Sequence, residues 1–274
     1  MAQGSLPPAS HGVPNDAHWG DLAVDPDERS LPGLKARFLV DHAASRGRLL
    51  EVGCGEGKLL RTLKRAHPNL VLEGCDIRTP KRAPDVFTFE KVSGPALPYA
   101  KEAFDTVVLF DVLEHVPDPE GMLTEVARVL KKDGTLLAFV PVEGERLSAY
   151  TLFRALLGKD VYVETKDHVQ AFSHAKLRAL TDRHFSPEIV RYAYHFAGHV
   201  MDASFFAAQK IARLREFWWK ENTFYAGDRD ETHGAVSAMN GVLRLANAVA
   251  WLESRVLGDV RFSSAGVLLT ARRR

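Results

Sequence analysis

Residues 49–57 read LLEVGCGEG, an apolar run that ends in a carboxylate and then turns on alternate glycines. Gly53, Gly55 and Gly57 remove side chains where a strand gives way to a helix, so a ligand can approach main-chain amides directly. Glu51 precedes the turn, near the carboxyl end of the predicted strand. The stretch therefore predicts a strand, a turn and a helix that bind something flat and polar.

The charge before the glycines indicates the kind of ligand. A dinucleotide-binding turn has the spacing GxGxxG with a pyrophosphate at the helix amino terminus, whereas this turn reads GxGxG behind Glu51. A carboxylate there repels a phosphate and attracts a cation, such as the ammonium of an amino-acid moiety. The spacing disfavours a nicotinamide oxidoreductase, and it favours S-adenosylmethionine as the ligand.

Three more segments follow this turn in the chain. Asp76 closes the apolar segment 71–77, VLEGCDI, 25 residues after Glu51. Residues 104–116, FDTVVLFDVLEHV, form an apolar run that Phe110, Asp111, Glu114 and His115 close, and residues 127–142 read ARVLKKDGTLLAFVPV. Together with the glycine turn, these segments resemble the ordered motifs of the class I S-adenosylmethionine-dependent methyltransferases, in their small-molecule, ubiquinone-biosynthesis-like branch.

The resemblance implies an α/β fold: a Rossmann-like, doubly wound, mostly parallel seven-stranded sheet with helices on both faces and a helical insertion before the last strand. It implies S-adenosyl-L-methionine as cofactor, with Asp76 accepting from the ribose hydroxyls. The family's usual adenine-binding Asp is missing from KVSGPALPY, so Val92 and Ser93 are expected near adenine. The expected cofactor-binding residues are Glu51, Gly53, Cys54, Gly55, Gly57, Asp76, Ile77, Val92, Ser93, Phe110, Asp111, Val112 and His115.

Each of these positions also has a purely structural interpretation. The glycines can form a tight turn without a ligand, and Asp76 and Asp111 can be strand-end or helix-capping residues. His115 can be packed or solvated at the start of a loop. The order of the four motifs along the chain is what favours the cofactor interpretation.

Hydrophobic patterning predicts the remaining organisation. Strands are expected at 48–52, 70–75, 86–92, 106–110, 135–140, 187–196 and 264–271, and helices at 31–44, 145–158, 175–185, 203–219 and 242–256. Residues 1–30 are expected to be a flexible lead and residues 31–274 the methyltransferase domain. Within it, residues 197–260 are interpreted as a helical lid or extension; covering a sheet face or forming a homodimer contact are the alternatives.

Methyl transfer to a hydroxyl needs a base near neutral pH, which histidine provides. His168 in ETKDHVQAFS is the predicted catalytic base, because relatives often carry a histidine just before a Phe and Ser pair, and Asp167 is expected to orient it or to serve instead. His168 holding a loop to the sheet is the alternative. No cluster of carboxylates and histidines shows ligand spacing near Asp111, so no metal is expected.

Composition limits the partners. Lys and Arg total 36 against 35 for Asp and Glu, which offers no attraction to nucleic acid. Cys54 and Cys75, the only cysteines, show neither metal nor disulfide spacing, which fits a reducing cytoplasm. No apolar run is long enough to span a bilayer, although peripheral contact stays open.

The acceptor is expected to be a small molecule. The segment after the fourth strand reads FDVL instead of an NPPY-like tetrad, which favours an oxygen or carbon acceptor on a rather apolar molecule such as a secondary metabolite. A non-catalytic scaffold or regulator that binds a partner through the late helices is the competing interpretation.

Overall fold

The computed structural model describes residues 23–81, 83–94, 96–145, 168–201 and 234–274, without the side chains of 234–240, 242 and 243. The strands are β1 Gly47–Val52, β2 Leu70–Asp76, β3 Thr88–Lys91, β4 Phe104–Phe110, β5 Leu130–Pro141, β6 Phe185–Ala193 and β7 Gly266–Arg273. The helices are α1 Leu31–His42, α2 Lys58–Ala66, α3 Pro119–Val129, α4 His174–Thr181 and α5 Gly234–Val256.

The strands form one seven-stranded sheet in the order β3-β2-β1-β4-β5-β7-β6. β1 pairs parallel with β2 and β4, β2 with β3, and β4 with β5. β7 alone runs antiparallel, between β5 and β6. The predicted doubly wound, mostly parallel sheet is therefore confirmed, and the strand order reverses between β1 and β4, where such sheets bind ligands.

The two faces of the sheet carry separate hydrophobic cores. Leu50 and Val107 belong to one core, which α3 and α4 cover, whereas their chain neighbours Leu49 and Val108 belong to the other, which α1 and α2 cover. Because successive side chains of a strand point to opposite faces, central parallel strands must be apolar on both. This double burial explains the continuous apolar runs of β1 and β4 and positions helices on both faces.

Helix α1 starts at a capping sequence. The Ser30 hydroxyl accepts from the Gly33 amide at 3.0 Å, and Pro32 occupies the first turn, where its missing N–H costs nothing. Thr62 Oγ1 donates to the Val24 carbonyl at 2.8 Å, so residues 23–30 of the predicted lead contact the domain. Residues 1–22 lie outside the described part of the chain, where the flexible lead stays a prediction.

Several element boundaries differ from the predicted ones. β5 starts five residues early, at Leu130, and β3 covers only Thr88–Lys91. β6 ends at Ala193 because Tyr194 adopts φ 57°, which no strand residue can hold. α5 begins at Gly234, earlier than predicted. Of the proposed insertion 197–260, residues 202–233 fall outside the described ranges, as do the helix predicted at 203–219 and residues 146–158 of another.

Candidate functional site

The carboxyl ends of β1 and β4 lie side by side at the reversal of strand order, since Val52 pairs with Leu109. The glycine turn follows β1, Asp76 ends β2, and Asp111 follows β4. The topology thus gathers at one sheet edge three of the motifs that are far apart in sequence.

The three glycines of the turn serve different purposes. All have positive φ, of 76°, 50° and 73° at Gly53, Gly55 and Gly57. A Cβ on Gly53 would lie 2.6 Å from Val112 Cγ2, and one on Gly57 would lie 2.2 Å from the Phe87 ring, so these two permit close packing. A Cβ on Gly55 would meet nothing within 4 Å. Gly55 is therefore the glycine whose bare backbone faces open space, where a ligand can lie.

Asp76 accepts a hydrogen bond from the turn at Gly55, the glycine that faces open space. Its Oδ2 accepts from the Gly55 amide at 2.9 Å, and its Oδ1 accepts from the Arg78 amide at 2.9 Å. Each carboxylate oxygen can accept a further hydrogen bond, because a carboxylate offers about four lone-pair sites. Asp76 is consequently oriented by the backbone and still able to accept from a diol.

Glu51 presents a buried acid to the same edge. Its side chain is 5% exposed, and within the described part of the chain its Oε2 has no hydrogen-bond partner. Burial raises the pKa of this carboxyl well above its usual value, and the Asp76 charge raises it further. An unsatisfied buried carboxyl oxygen costs about 1–3 kcal/mol. A ligand ammonium would remove that cost, so the residues present fit the cationic end of an aminoacyl nucleoside.

Other predicted residues complete the edge or its support. The Val92 amide donates to the Asp76 carbonyl at 3.0 Å, and Ser93 follows it, exposed, so both border the carboxyl end of β2. Ile77 is 62% exposed beside Asp76. Cys54 and Phe110 are buried in the core under α1 and α2 instead. Burial raises the pKa of the Cys54 thiol, so this residue packs as a small apolar side chain.

Asp111 is committed to a partner that the sequence does not suggest. It has φ 54°, and Lys35 Nζ of α1 lies 2.7 Å from its Oδ2 and 2.9 Å from its Oδ1. The same ammonium lies 3.8 Å from the centre of the Phe139 ring. The predicted cofactor contact of Asp111 is thus accompanied by an ion pair that attaches α1 to the carboxyl end of β4.

His168 lies on a segment that returns to this edge. The Gln170 amide donates to the Glu114 carbonyl at 3.0 Å, and the Gly144 amide donates to the Phe172 carbonyl at 2.8 Å. His168 Nδ1 is 3.0 Å from Glu143 Oε2, with both side chains under 10% exposed. Asp167, the predicted orienting acid, lies outside the described residues. Glu143 takes that position for the described part of the chain.

Glu114 and His115 meet His168 at the end of β4. The rings of His115 and His168 are in edge-to-face contact, with centroids 4.8 Å apart. One ligand-type atom from each of Glu114, His115 and His168 lies within 4.8 Å of the others. The sequence shows no ligand spacing near Asp111, and the group forms in the fold because His168 arrives from a distant segment. The expectation that no metal is bound stays a prediction.

Glu114 is the most buried acid of this group. It is 1% exposed, and neither carboxyl oxygen has a hydrogen-bond partner among the residues that the structure describes. Burial raises the pKa of the Glu114 carboxyl well above its usual value; the charges of Asp111 and Glu143 raise it further, and Lys35 lowers it. Two unsatisfied oxygens on one buried side chain are rare in folded proteins.

The site contains two residues that the sequence analysis did not select. Lys35 shares the buried face of α1 with Leu31, Phe38 and Leu39, and its position one helical turn after Leu31 was the available signal. Glu143 follows the carboxyl end of β5, where functional side chains of parallel sheets gather.

A comparison with protein families gives a match to more than half of the chain. A family model described as "Methyltransferase domain" matches residues 27–216, more than half of the chain. The chain therefore belongs to the methyltransferase-domain family, among the class I S-adenosylmethionine-dependent methyltransferases.

Several curated relatives share one name. The ubiquinone biosynthesis O-methyltransferase of Methylococcus capsulatus is 29% identical over 136 residues, which cover 46% of this chain and 56% of that protein. The enzyme of the same name from Photobacterium profundum is 25% identical over 191 residues, covering 61% of this chain and 76% of that protein. The chain spans about half the length of the first relatives that it matches.

Solved structures share the fold at low identity. The [4+2]-cyclase SpnF superposes with a TM-score of 0.54 at 19% identity, covering 93% of this chain and 86% of that one. A geranyl diphosphate C-methyltransferase from Streptomyces coelicolor gives 0.51 at 16%, covering 89% and 81%. These likenesses concern the fold alone. Within the described residues, no helix combines the length and apolar character that crossing a membrane requires.

Proposed function

We propose that this protein transfers a methyl group from S-adenosyl-L-methionine to a hydroxyl, or to a carbon, of a small, rather apolar metabolite. The observation that carries the proposal is that two acids lie at the carboxyl end of the sheet: Glu51, whose Oε2 lacks a hydrogen-bond partner among the described residues, and Asp76, which accepts from the amide of Gly55 beside open space. The names of the curated relatives, ubiquinone biosynthesis O-methyltransferases, support an oxygen acceptor.

Each residue at the carboxyl ends of these strands would bind a different part of the cofactor. Glu51 would accept from the aminoacyl ammonium, and Asp76 would accept from the ribose hydroxyls while its other lone pairs keep the turn closed. Val92 and Ser93 would border the adenine. The cofactor supplies a methyl group on a positively charged sulfur. Holding that group and the acceptor in line supplies much of the rate, because reactive alignment replaces translational entropy.

The acceptor end would lie beside Glu114, His115 and His168. As the acceptor oxygen loses its proton, it forms a bond to the methyl carbon, the carbon–sulfur bond breaks, and the sulfur keeps that electron pair as a neutral thioether. His168 would accept this proton as the base, and its hydrogen-bond contact with Glu143 at 3.0 Å supports that role.

Methyl transfer is tested with S-adenosyl-L-methionine labelled on its methyl group and a panel of acceptors that present phenolic hydroxyls, aliphatic hydroxyls, activated carbons or amines. We expect labelled product from the hydroxyl-bearing members and none with Gly55→Arg, whose side chain fills the open space beside the turn. His184→Gln, a histidine away from this edge, is the matched control and should keep the activity. Cofactor binding without transfer to any acceptor would favour the scaffold or regulator instead.

A further inference from the structure

The cluster after β4 contains a buried acid that the described residues leave unsatisfied. Glu114 is 1% exposed, and both of its oxygens lack a hydrogen-bond partner. Proteins seldom bury a carboxyl in this way unless an ion or a water completes its contacts. Burial alone would only favour the protonated form of Glu114. The side chains around it therefore indicate whether this acid binds a ligand.

Two imidazoles lie beside this carboxyl. Glu114 Oε1 is 3.9 Å from His115 Nε2, and one ligand atom from each of Glu114, His115 and His168 falls within 4.8 Å of the others. Donor atoms bound to a common ion at about 2.1 Å are about 3–4 Å apart. Small torsional changes would therefore bring the three donors together, and the His115 side chain, 40% exposed, has room for them.

A carboxylate behind one imidazole adds a feature typical of metal sites. His168 Nδ1 lies 3.0 Å from Glu143 Oε2, and both side chains are almost buried. Metal-bound histidines usually donate their second ring nitrogen to a carboxylate, which fixes the ring and makes the other nitrogen a better ligand. With Nδ1 engaged by Glu143, Nε2 of His168 is the nitrogen for the ion.

The local charge favours a cation. Besides Glu114 itself, the carboxyl groups of Asp111 and Glu143 act on this cluster, and Lys35 is a cation that acts on Glu114. That ammonium already pairs with Asp111. Added positive charge between Glu114 and the imidazoles would meet little repulsion.

We propose that Glu114, His115 and His168 bind a divalent first-row transition-metal ion, with Glu143 as a positioning residue for His168. Two imidazoles and one carboxylate are the ligand set that such ions prefer over magnesium or calcium, and three protein ligands leave coordination positions open. Val112, two residues before Glu114, lies close to Gly53 of the glycine turn, so the ion would border the cofactor cleft.

A role for the ion follows if the proposed function holds. A hydroxyl bound to a divalent cation has a lowered pKa, so its proton passes to water before the oxygen forms its bond to the methyl carbon. His168 would then act as a ligand in place of a direct base. Ion binding itself does not depend on methyl transfer.

The test begins with the full chain, stripped by a chelator and titrated with Zn²⁺ by calorimetry and with Co²⁺ by visible absorption. We expect one ion per chain with a micromolar or tighter dissociation constant. Glu114→Gln and His168→Gln should each weaken binding at least about 100-fold, and Glu143→Gln about 10- to 100-fold. His184→Gln is the matched control, because His184 Nε2 also lies beside a carboxylate, 3.2 Å from Glu120 Oε1, and it should bind the ion as the unchanged protein does.

S-adenosyl-L-methionine binding, measured on the same stripped proteins, separates this proposal from the proposed function. Variants that keep cofactor affinity but lose the ion would support the metal site, and their intact cofactor binding would show that they fold. No stoichiometric ion binding, or ion binding unchanged in both Glu114→Gln and His168→Gln, would overturn it. Ion binding without cofactor binding would leave the metal site standing and remove the methyl-transfer proposal.

Discussion

Lys35 and Asp111 connect the first helix to the sheet at the site. The Lys35 ammonium lies 2.7 Å from one Asp111 oxygen and 2.9 Å from the other, and its side chain is only 8% exposed. Asp111 is 35% exposed, so solvent screens the ion pair only in part. The pair therefore attaches α1 to the carboxyl end of β4, where Asp111 has a left-handed backbone conformation.

Removing the lysine charge should destabilise the protein. In Lys35→Met the apolar stem is kept and the ammonium is lost, which leaves Asp111 without this cation. We expect the free energy of unfolding to fall by about 2 kcal/mol, below the 3–5 kcal/mol typical of a fully buried pair, because Asp111 reaches solvent. Urea unfolding of Lys35→Met, Asp111→Asn and the double variant measures the coupling. Additive losses in the two single variants would contradict a direct interaction.

Substitutions at the two turn glycines should differ in their effect on stability. In Gly57→Ala the new methyl meets the Phe87 ring at 2.2 Å and the backbone keeps φ 73°, so we expect a loss of about 2–4 kcal/mol in the free energy of unfolding. In Gly55→Ala the methyl enters open space, and only the strain of about 1 kcal/mol remains. Urea titrations of both variants provide the comparison. Equal losses would mean that Gly55 is packed and not open.

Glu51 should make stability depend on pH in the absence of ligand. Burial raises the pKa of its carboxyl in the folded protein above the value in the unfolded chain. Between the two values the unfolded chain releases the proton first, so the free energy of unfolding falls as the pH rises, by up to about 1.4 kcal/mol per pH unit. Below both values this contribution is absent.

The matched variant for that effect is Glu51→Gln, which keeps the shape of the side chain and removes its titration. Urea unfolding between about pH 4 and pH 8 should show a smaller decline for Glu51→Gln than for the unchanged protein. Two parallel profiles would mean that the Glu51 carboxyl is satisfied and titrates normally.

Much of the fold was predictable because it depends on local pattern. The apolar runs identified all seven strands. The family resemblance predicted that these strands form a doubly wound sheet, in which the strand order reverses. The boundaries were less predictable: β6 stops at Ala193 because of the Tyr194 backbone conformation, and no sequence pattern indicated it. β5 extends back to Leu130, through the charged residues of its start.

The candidate site was predictable where it follows the ends of strands. Glu51, Asp76 and Asp111 lie at the expected edge because parallel strands place their carboxyl ends together. Contacts between segments that are distant in sequence were not predictable. Glu143 is 25 residues from His168 and was overlooked in favour of the neighbouring Asp167, and the Lys35–Asp111 pair joins residues 76 apart.

Calorimetric titration with S-adenosyl-L-methionine tests the central claim most directly. The unchanged protein should bind one molecule per chain, and Asp76→Ala should weaken that binding by about 2 kcal/mol or more, about 30-fold, because hydrogen bonds to a charged acceptor are lost. His184→Gln should bind as the unchanged protein does. No heat of binding with the pure protein, or an Asp76→Ala variant that binds equally well, would contradict the assignment of this edge as the cofactor site.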